Sequence, residues 1–222
     1  MSSKGRLLGV LGALVLTEAR VLSVTVLAPA LRRVVVGGDG LRRANWHPGD
    51  KLQVVLPGHV LRTYTPCRWD RVAGETELVL YAHGASPGAA WGRTVAVGDT
   101  VRLFGPRTSL RVPPGPTAVF GDETAFGLVL ALDARAVLEV SDPAAAAAFG
   151  VIRPEARLFP VDGDRHFDAL ADALLQAAAG ATVVLAGRAR SISAVRARLL
   201  ARGLAAPRLV RAYWADGRVG LD

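Results

Sequence analysis

The chain has 222 residues, 51% of them hydrophobic, which excludes a disordered chain and allows one large domain or two small ones. Its formal net charge of +8 at pH 7 comes almost entirely from arginines, because Lys4 and Lys51 are the only lysines. These arginines are scattered rather than gathered into a basic stripe, so they disfavour nucleic acid as a partner and favour small anionic ligands.

Residues 1–20 combine a basic start with an apolar run, Leu7–Leu16. This run is too short to span a bilayer, and no small-x-small cleavage signal follows it. We therefore expect a short N-terminal docking helix over residues 1–20, no membrane span, and a cytoplasmic protein.

Residues 21–111 contain short β-branched runs such as "RVLSVTVL", "KLQVVLPG" and "ETELVLYAHG", separated by glycine, proline and aspartate turns. Closely spaced strands with such turns are typical of an antiparallel barrel or sandwich. The proline-rich stretch at residues 112–117 is the predicted linker, because its three prolines do not fit inside a sheet or a helix.

Residues 118–222 change period and alternate buried strands with helices, as in "AVLEVSD", "HFDALADALLQAAAG" and "ATVVLAG". This alternation predicts a parallel, doubly wound sheet. The predicted fold class is therefore β plus α/β: an N-terminal antiparallel β-barrel followed by a compact, doubly wound α/β domain of the nucleotide-binding type.

Two kinds of site are disfavoured by the residues. Cys67 is the only cysteine, and the four histidines lie far apart without metal-ligand spacing, so we expect no disulfide and no protein-held metal. The segment "GASPG" matches the nucleophile elbow of serine hydrolases, but Pro87 lacks the N–H that the oxyanion hole requires after the serine.

The segment "LRTYTPCRWD", residues 61–70, brings a fixed positive charge, an aromatic ring and hydroxyl groups close together. In an extended strand, Arg62 and Tyr64 share one face while Thr63 and Thr65 share the other. The pattern fits one side of a ligand site and fits a half-buried strand equally well.

Two further segments suit a phosphate or a nucleotide. In "HGASPGAAW" the small residues let the backbone approach a ligand, and the N–H groups of Gly88, Ala89 and Ala90 are candidates for an anion nest. In "FGDETA", Asp122 or Thr124 can cap a helix at the carboxyl end of a strand, where open α/β sheets bind cofactors.

Taken in order, "RTYT", "LVLYAHG…PGAAWG…VGDTVRLFGPR", "FGDETA" and "YWADG" resemble the siderophore-interacting protein family. Those proteins are FAD-containing, NAD(P)H-dependent reductases of ferric siderophores in the ferredoxin reductase superfamily. The resemblance implies that residues 21–111 bind FAD and that residues 118–222 bind NADPH or NADH.

The resemblance also implies roles for individual residues. Tyr64 would pack on the flavin ring, with Thr65 near its redox-active edge and Arg62 facing the diphosphate, while Thr63 completes the motif. The diphosphate and adenine would be wrapped by a second set of residues: His83, Gly84, Gly88, Ala89, Ala90 and Trp91.

This chain departs from the family pattern at several positions. Pro66 and Cys67 follow the flavin motif where the family usually has valine and arginine, and Ala90 replaces a serine. In the strand end "VLAGR", Leu185 and Arg188 replace a tryptophan and a glutamate, beside Gly187, so the nicotinamide half is less well preserved than the flavin half.

The function expected from these features is hydride transfer from a nicotinamide to FAD and electron transfer onward to an anionic ferric chelate. This chemistry belongs to the cofactor, so no catalytic side chain is assigned. The alternatives are a repurposed flavoprotein, which keeps FAD for a biosynthetic step or as a scaffold, and an electron-transfer module. NADH and NADPH both stay open, because Asp142 suits a ribose hydroxyl whereas Arg153 and Arg157 suit a 2′-phosphate.

Overall fold

A computed structural model describes residues 16–204, 207 and 209–217. It contains two sheets, and the first is antiparallel throughout. The strands of this first sheet are β1 (Thr17–Ala28), β2 (Leu31–Gly37), β3 (Lys51–Leu56), β4 (Val60–Tyr64), β5 (Pro66–Asp70), β6 (Glu75–Tyr81) and β7 (Thr100–Arg107). Two short helices, α1 (Asp39–Arg42) and α2 (Pro87–Thr94), and a 3₁₀ turn at Pro57–His59 connect them.

The strand order of the first sheet is β4-β3-β7-β1-β2-β6-β5, so consecutive strands β4 and β5 form its two edges. The chain therefore crosses from one edge to the other at Thr65, which makes the sheet barrel-like without closing it. Successive side chains of each strand point to opposite faces of the sheet, so every second residue faces the core. Along β6, Thr76, Leu78 and Leu80 are buried and the residues between them are partly exposed.

The second sheet is parallel, and its strands are β8 (Thr117–Gly121), β9 (Arg135–Val140), β10 (Arg157–Pro160), β11 (Thr182–Arg188) and β12 (Leu209–Trp214). The helices between them are α3 (Phe126–Leu132), α4 (Pro143–Ile152), α5 (His166–Ala177) and α6 (Ala189–Ala201), with a 3₁₀ turn at Glu123–Ala125 before α3. Their alternation with the strands confirms the predicted α/β order.

The strand order of the second sheet is β10-β9-β8-β11-β12. The chain adds β9 and β10 on one side of β8 and then β11 and β12 on its other side, so the strand order reverses between β8 and β11 although all the strands run parallel. Every residue of β8 is buried, as expected for a central parallel strand that is covered on both faces. One face packs on α3 and α4, and the other packs on α5 and α6 through residues such as Phe167, Leu170 and Leu174. The i, i+3, i+7 spacing of these three residues makes α5 amphipathic.

The predicted N-terminal helix falls mostly outside the described residues. Its last four positions belong to β1, because the strand begins at Thr17 and pairs with β7 through Thr17–Arg20. The helix over residues 1–20 is therefore wrong at residues 17–20, and residues 1–15 lie outside the described part of the chain. Residues 108–116 connect the two sheets and overlap the predicted linker.

Candidate functional site

A cavity of about 340 Å³ lies between the two sheets and is lined by residues of both. Eight of the fourteen residues predicted to bind a cofactor line it: Arg62, Thr63, Tyr64, Thr65, His83, Gly88, Ala89 and Thr124. The other six, Gly84, Ala90, Trp91, Asp122, Gly187 and Arg188, lie outside its wall. The structure thus brings together the predicted motif on β4, the loop before α2 and the start of α3.

The β4 strand contributes Arg62, Thr63 and Tyr64, which pair with β3 from Val54 to Leu52. The Thr63 hydroxyl accepts a hydrogen bond of 3.1 Å from the Gln53 side-chain amide, so part of its polar capacity is used inside the sheet. The Arg62 guanidinium donates to the carbonyl of Leu61 at 2.8 Å and keeps its remaining N–H groups beside the cavity.

Tyr64 is the aromatic wall of the cavity. Its ring packs against Trp91 on α2, with centroids 5.6 Å apart and an angle of 48° between the planes. Burial raises the pKa of Tyr64 and the nearby Arg62 charge opposes this, so the side chain is a neutral phenol at physiological pH. Trp91 therefore packs against the Tyr64 ring and does not line the cavity itself.

The α2 helix directs its N-terminus toward this wall. Ser86 caps it, accepting from the N–H of Ala89 at 3.2 Å through its hydroxyl and from the N–H of Ala90 at 2.9 Å through its carbonyl. Two of the three N–H groups predicted to form an anion nest are therefore used within the helix. Within the described residues the Gly88 N–H has no protein acceptor, so it is the donor left for an anion.

Gly88 also allows a close approach of the backbone. A Cβ atom at this position would lie 3.1 Å from both Cγ of Arg62 and Oη of Tyr64. The glycine therefore lets α2 pack directly on the β4 motif. The capping role of Ser86 agrees with the sequence argument against a serine nucleophile at "GASPG".

His83 lies in an aromatic row that crosses from the first sheet to the second. Its ring is 4.7 Å from Tyr81 and 5.8 Å from Trp214, measured between centroids. Gly84 follows with a positive φ of 67°, and Arg93 holds this turn by donating to the carbonyls of Ala82 and Gly84. Gly84 thus shapes the loop that presents His83.

Asp122 directly follows the first strand of the parallel sheet and is 3% exposed. Its Oδ1 accepts from the backbone N–H and the hydroxyl of Thr124, and its Oδ2 accepts from the N–H of Arg188 at 2.9 Å and the indole of Trp214 at 2.8 Å. Burial raises its pKa, while the hydrogen bonds from Thr124 and Trp214 oppose this rise. Asp122 is therefore the predicted cap but not a free cofactor ligand, because both oxygens are engaged within the protein.

Gly187 and Arg188 lie at the point where the strand order reverses. Gly187 has a φ of 106°, and a Cβ there would lie 2.9 Å from the Asp122 carboxylate, so only glycine fits. Arg188 makes a bidentate ion pair with Asp216 at 2.8–3.1 Å and lies 5.1 Å from the ring centroid of Trp214. Its guanidinium is thus engaged by a carboxylate rather than presented to a phosphate.

Tyr213 and Trp214, which end the last strand of the parallel sheet, also line the cavity. The Tyr213 hydroxyl is 3.3 Å from the hydroxyl of Thr65, which joins the second sheet to the flavin motif. Burial raises the pKa of Tyr213 to about 12. Lys51 and Arg211 also line the cavity, so with Arg62 it has three cationic side chains from two sheets.

The residues considered for the nicotinamide phosphate lie at opposite edges of the parallel sheet. Asp142 follows the carboxyl end of β9 and caps α4 by accepting from Ala144 and Ala145. Arg153 follows α4 and pairs with Asp133 before β9, and Arg157 opens β10 and donates to Gln176. Both arginines are therefore at the amino edge, and the suggestion that they hold a 2′-phosphate is wrong.

No helix within the described ranges is both long and apolar enough to cross a membrane.

Residues 57–110 match the model of a family described as the siderophore-interacting FAD-binding domain. This match covers β4 to β7, which includes the Arg62–Thr65 motif, the His83 loop and α2. It confirms the predicted resemblance to the siderophore-interacting proteins and the predicted cofactor, FAD. A search of curated proteins gave no match.

Solved structures with the same architecture cover nearly the whole chain. A siderophore utilization protein from T. fusca has a TM-score of 0.72 at 22% identity, over 93% of this chain and 95% of its own. The siderophore-interacting protein SipS from Aeromonas hydrophila has a TM-score of 0.70 at 19% identity, over 92% and 93%. A ferredoxin NADP+ reductase from Neisseria gonorrhoeae with bound FAD and NADP has a TM-score of 0.69 at 16% identity, over 90% and 98%. These likenesses confirm the fold class of a β sheet followed by an α/β sheet.

Proposed function

We propose that this protein is an FAD-dependent reductase that takes electrons from a nicotinamide nucleotide and delivers them to an anionic ferric chelate. The observation that carries the proposal is the placement of Arg62, Tyr64 and Gly88 in one cavity that is also bounded by the parallel sheet. When bound, FAD supplies the chemistry, because a flavin accepts a hydride and passes on electrons one at a time.

The residues of the cavity suit this cofactor. Arg62 offers N–H donors to a diphosphate in charge-assisted hydrogen bonds, and the free Gly88 N–H at the start of α2 points to the same charge. Tyr64 offers a flat ring that Trp91 holds in place. Gly88 lets the start of α2 pack closely on both residues, since a Cβ there would lie 3.1 Å from Arg62 and from Tyr64.

The parallel sheet closes the cavity on the other side. Thr65 and Tyr213 connect the two sheets through their hydroxyls, and Thr124 in the 3₁₀ turn before α3 and Gly127 in α3 line the same space. Carboxyl ends of parallel strands are where open α/β sheets bind nucleotides. We infer that a nicotinamide nucleotide approaches from this side.

The cations of the cavity favour an anionic substrate. Lys51 on β3 and Arg211 on β12 line the cavity. Cavities lined by one sign of charge raise the local concentration of oppositely charged ligands. A ferric chelate with free carboxylates or catecholates fits this charge.

The test is anaerobic mixing of the FAD-loaded protein with NADH and then NADPH, with flavin absorbance near 450 nm as the readout. Bleaching by a nicotinamide, followed by recovery of colour and release of Fe(II) to a colorimetric chelator on adding a ferric chelate, is the expected result. Bleaching by dithionite alone would overturn the reductase proposal.

A repurposed flavoprotein is the second candidate, and one observation favours it. Arg188 stands at the end of β11 and is tied to Asp216 and Trp214, so its guanidinium is engaged within the protein rather than free for a nucleotide phosphate. In that case FAD would bind normally and dithionite would reduce it, whereas neither nicotinamide would.

A further inference from the structure

We propose that Tyr213 is a positioning residue for the flavin: its hydroxyl sets the direction in which Thr65 presents its own hydroxyl to the cofactor cavity, and the pair supports the reduced cofactor more than the oxidised one. The inference rests on the proposed function, since it concerns the flavin step of that reaction. It gives the parallel sheet a part in tuning the flavin, in addition to its part in binding a nucleotide.

The contact between the two residues joins the two sheets inside the cavity. The Oη atom of Tyr213, on β12, lies 3.3 Å from the Oγ1 atom of Thr65, and both residues line the cavity. Within the described part of the chain, neither hydroxyl has another hydrogen-bond partner. Since a hydroxyl donates one hydrogen bond and accepts up to two, the pair keeps polar capacity for a ligand in the cavity.

The backbone of Thr65 is held from two directions. Thr65 lies between β4 and β5 and precedes Pro66, and a residue before proline is restricted to extended conformations. Gly127 of α3 packs against it, because an added Cβ there would lie 2.7 Å from the Thr65 carbonyl oxygen. The freedom left to Thr65 is mainly the rotation of its side chain, and the contact with Tyr213 restricts that rotation.

Tyr213 can act as either partner in this hydrogen bond. Burial raises its pKa to about 12, so the phenol keeps its proton at physiological pH. Either hydroxyl can be the donor. When Tyr213 donates, the hydrogen of Thr65 is left for an acceptor in the cavity. When Thr65 donates to Tyr213, the lone pairs of Thr65 are left for a donor in the cavity.

This reversal suits a cofactor whose polar groups change on reduction. Ring nitrogens of a flavin accept hydrogen bonds in the oxidised form, one of them gains a hydrogen on reduction, and hydrogen bonds to them tune the cofactor. Without the Tyr213 hydroxyl, Thr65 can still donate to an oxidised ring. If it accepted from a reduced ring, its own hydrogen would have no acceptor in the filled cavity, which is unfavourable. The loss of this hydroxyl should therefore weaken the reduced state preferentially.

The experiment is a double-mutant cycle of Tyr213→Phe, Thr65→Val and the double variant, each loaded with FAD. Fluorescence quenching gives the affinity for oxidised FAD, and photoreduction beside a reference dye gives the midpoint potential of the flavin. Tyr213→Phe should weaken reduced FAD roughly two- to tenfold more than oxidised FAD, the range expected for one hydrogen bond, so the potential falls. In the Thr65→Val background the same change should not lower the potential further, because Tyr213 acts through Thr65.

The matched control is Thr76→Val, which removes a buried hydroxyl of the first sheet that donates to the carbonyl of Arg68 at 2.8 Å and lies outside the cavity wall. It should lower the midpoint of urea unfolding and leave the flavin potential unchanged. Thr65→Ser, which keeps the hydroxyl, should have nearly the potential of the wild type.

An unchanged or raised potential in Tyr213→Phe overturns the positioning role, and so does an equal fall with and without the Thr65 hydroxyl. The potential is measured without a nicotinamide. A protein that neither NADH nor NADPH reduces therefore contradicts the proposed function, while the role of Tyr213 is still decided by the potentials.

Discussion

The indole N–H of Trp214 donates a hydrogen bond of 2.8 Å to the buried carboxylate of Asp122. Trp214 ends the last strand of the parallel sheet and Asp122 follows the first, so the contact joins strands that have β11 between them. The same carboxylate accepts from the backbone of Arg188 on β11. One side chain therefore holds three strand ends in register beside the cavity.

Asp122→Asn should lower the free energy of unfolding by about 1–3 kcal/mol, because the new amide group faces the N–H donors of Arg188 and Trp214 and leaves them without an acceptor. Urea unfolding followed by circular dichroism measures this. The matched control is Asp142→Asn at another helix cap, where asparagine caps equally well and the change should be within about 0.5 kcal/mol. Equal losses in the two variants would contradict the cross-link.

Tyr64→Ala should weaken FAD binding by about 1–3 kcal/mol, the range found for the loss of one stacked aromatic ring. Tyr64→Phe keeps the ring against Trp91 and should bind FAD nearly as the wild type does. Titration of the FAD-free protein with FAD, followed by the quenching of flavin fluorescence, compares the three proteins. If the phenylalanine variant loses as much as the alanine variant, the hydroxyl rather than the ring holds the cofactor.

Much of this site could be predicted from local sequence, because its parts are local. The extended "RTYT" segment and the small-residue loop around Gly88 each lie within a few residues, and both line the cavity. Tyr213 could not be predicted in the same way, since it meets Thr65 only after the second sheet has folded against the first. An aromatic residue at a strand end has the same local pattern in a core and in a cavity wall.

The misplacement of Arg153 and Arg157 had a signal in the sequence. In a parallel sheet the helix after a strand returns the chain to the amino edge, so a residue just after α4 or at the start of β10 cannot face the carboxyl edge. The ion pair of Arg188 with Asp216 had no such signal in the sequence, because Asp216 lies after a different strand and meets Arg188 only in the folded protein. Which carboxylate neutralises which arginine is decided by tertiary packing.

Arg62→Lys should weaken FAD binding by about 1 kcal/mol or more, because lysine lacks the planar fork that binds two phosphate oxygens together. Arg68→Lys is the matched control: Arg68 is 72% exposed, lies 3.9 Å from Asp70, and does not line the cavity. The same fluorescence titration applies. Equal weakening in the two variants would contradict the assignment of Arg62 to the diphosphate.

Gly88→Ala should reduce FAD affinity while the fold is retained, because the added methyl group must displace the Arg62 stem or the Tyr64 hydroxyl by a few tenths of an ångström. The control is Gly150→Ala in α4, where the new Cβ would lie 3.8 Å from Leu158 and alanine is the better helix former. That control should bind FAD normally and unfold no earlier. Unchanged FAD affinity in Gly88→Ala would show that the cofactor does not use the contact between α2 and β4.

Arg188→Glu should destabilise the protein by about 1 kcal/mol, since it replaces a partly exposed ion pair with two like charges at Asp216. It should also slow the reduction of FAD by NADH. The reason is that Arg188 lies over Trp214, which lines the cavity, so repulsion at Asp216 displaces that wall. Urea unfolding and stopped-flow absorbance measure the two effects.

The charge-reversed double variant Arg188→Glu/Asp216→Arg separates the ion pair from a phosphate ligand. If Arg188 acts through Asp216, the double variant recovers both stability and the rate of flavin reduction, because the ion pair is rebuilt with the signs exchanged and the repulsion at position 216 is removed. If Arg188 instead binds a nucleotide phosphate, stability recovers while the affinity for NAD+ stays low. Faster reduction in the single variant would contradict both roles and mark Arg188 as an obstruction to the nucleotide.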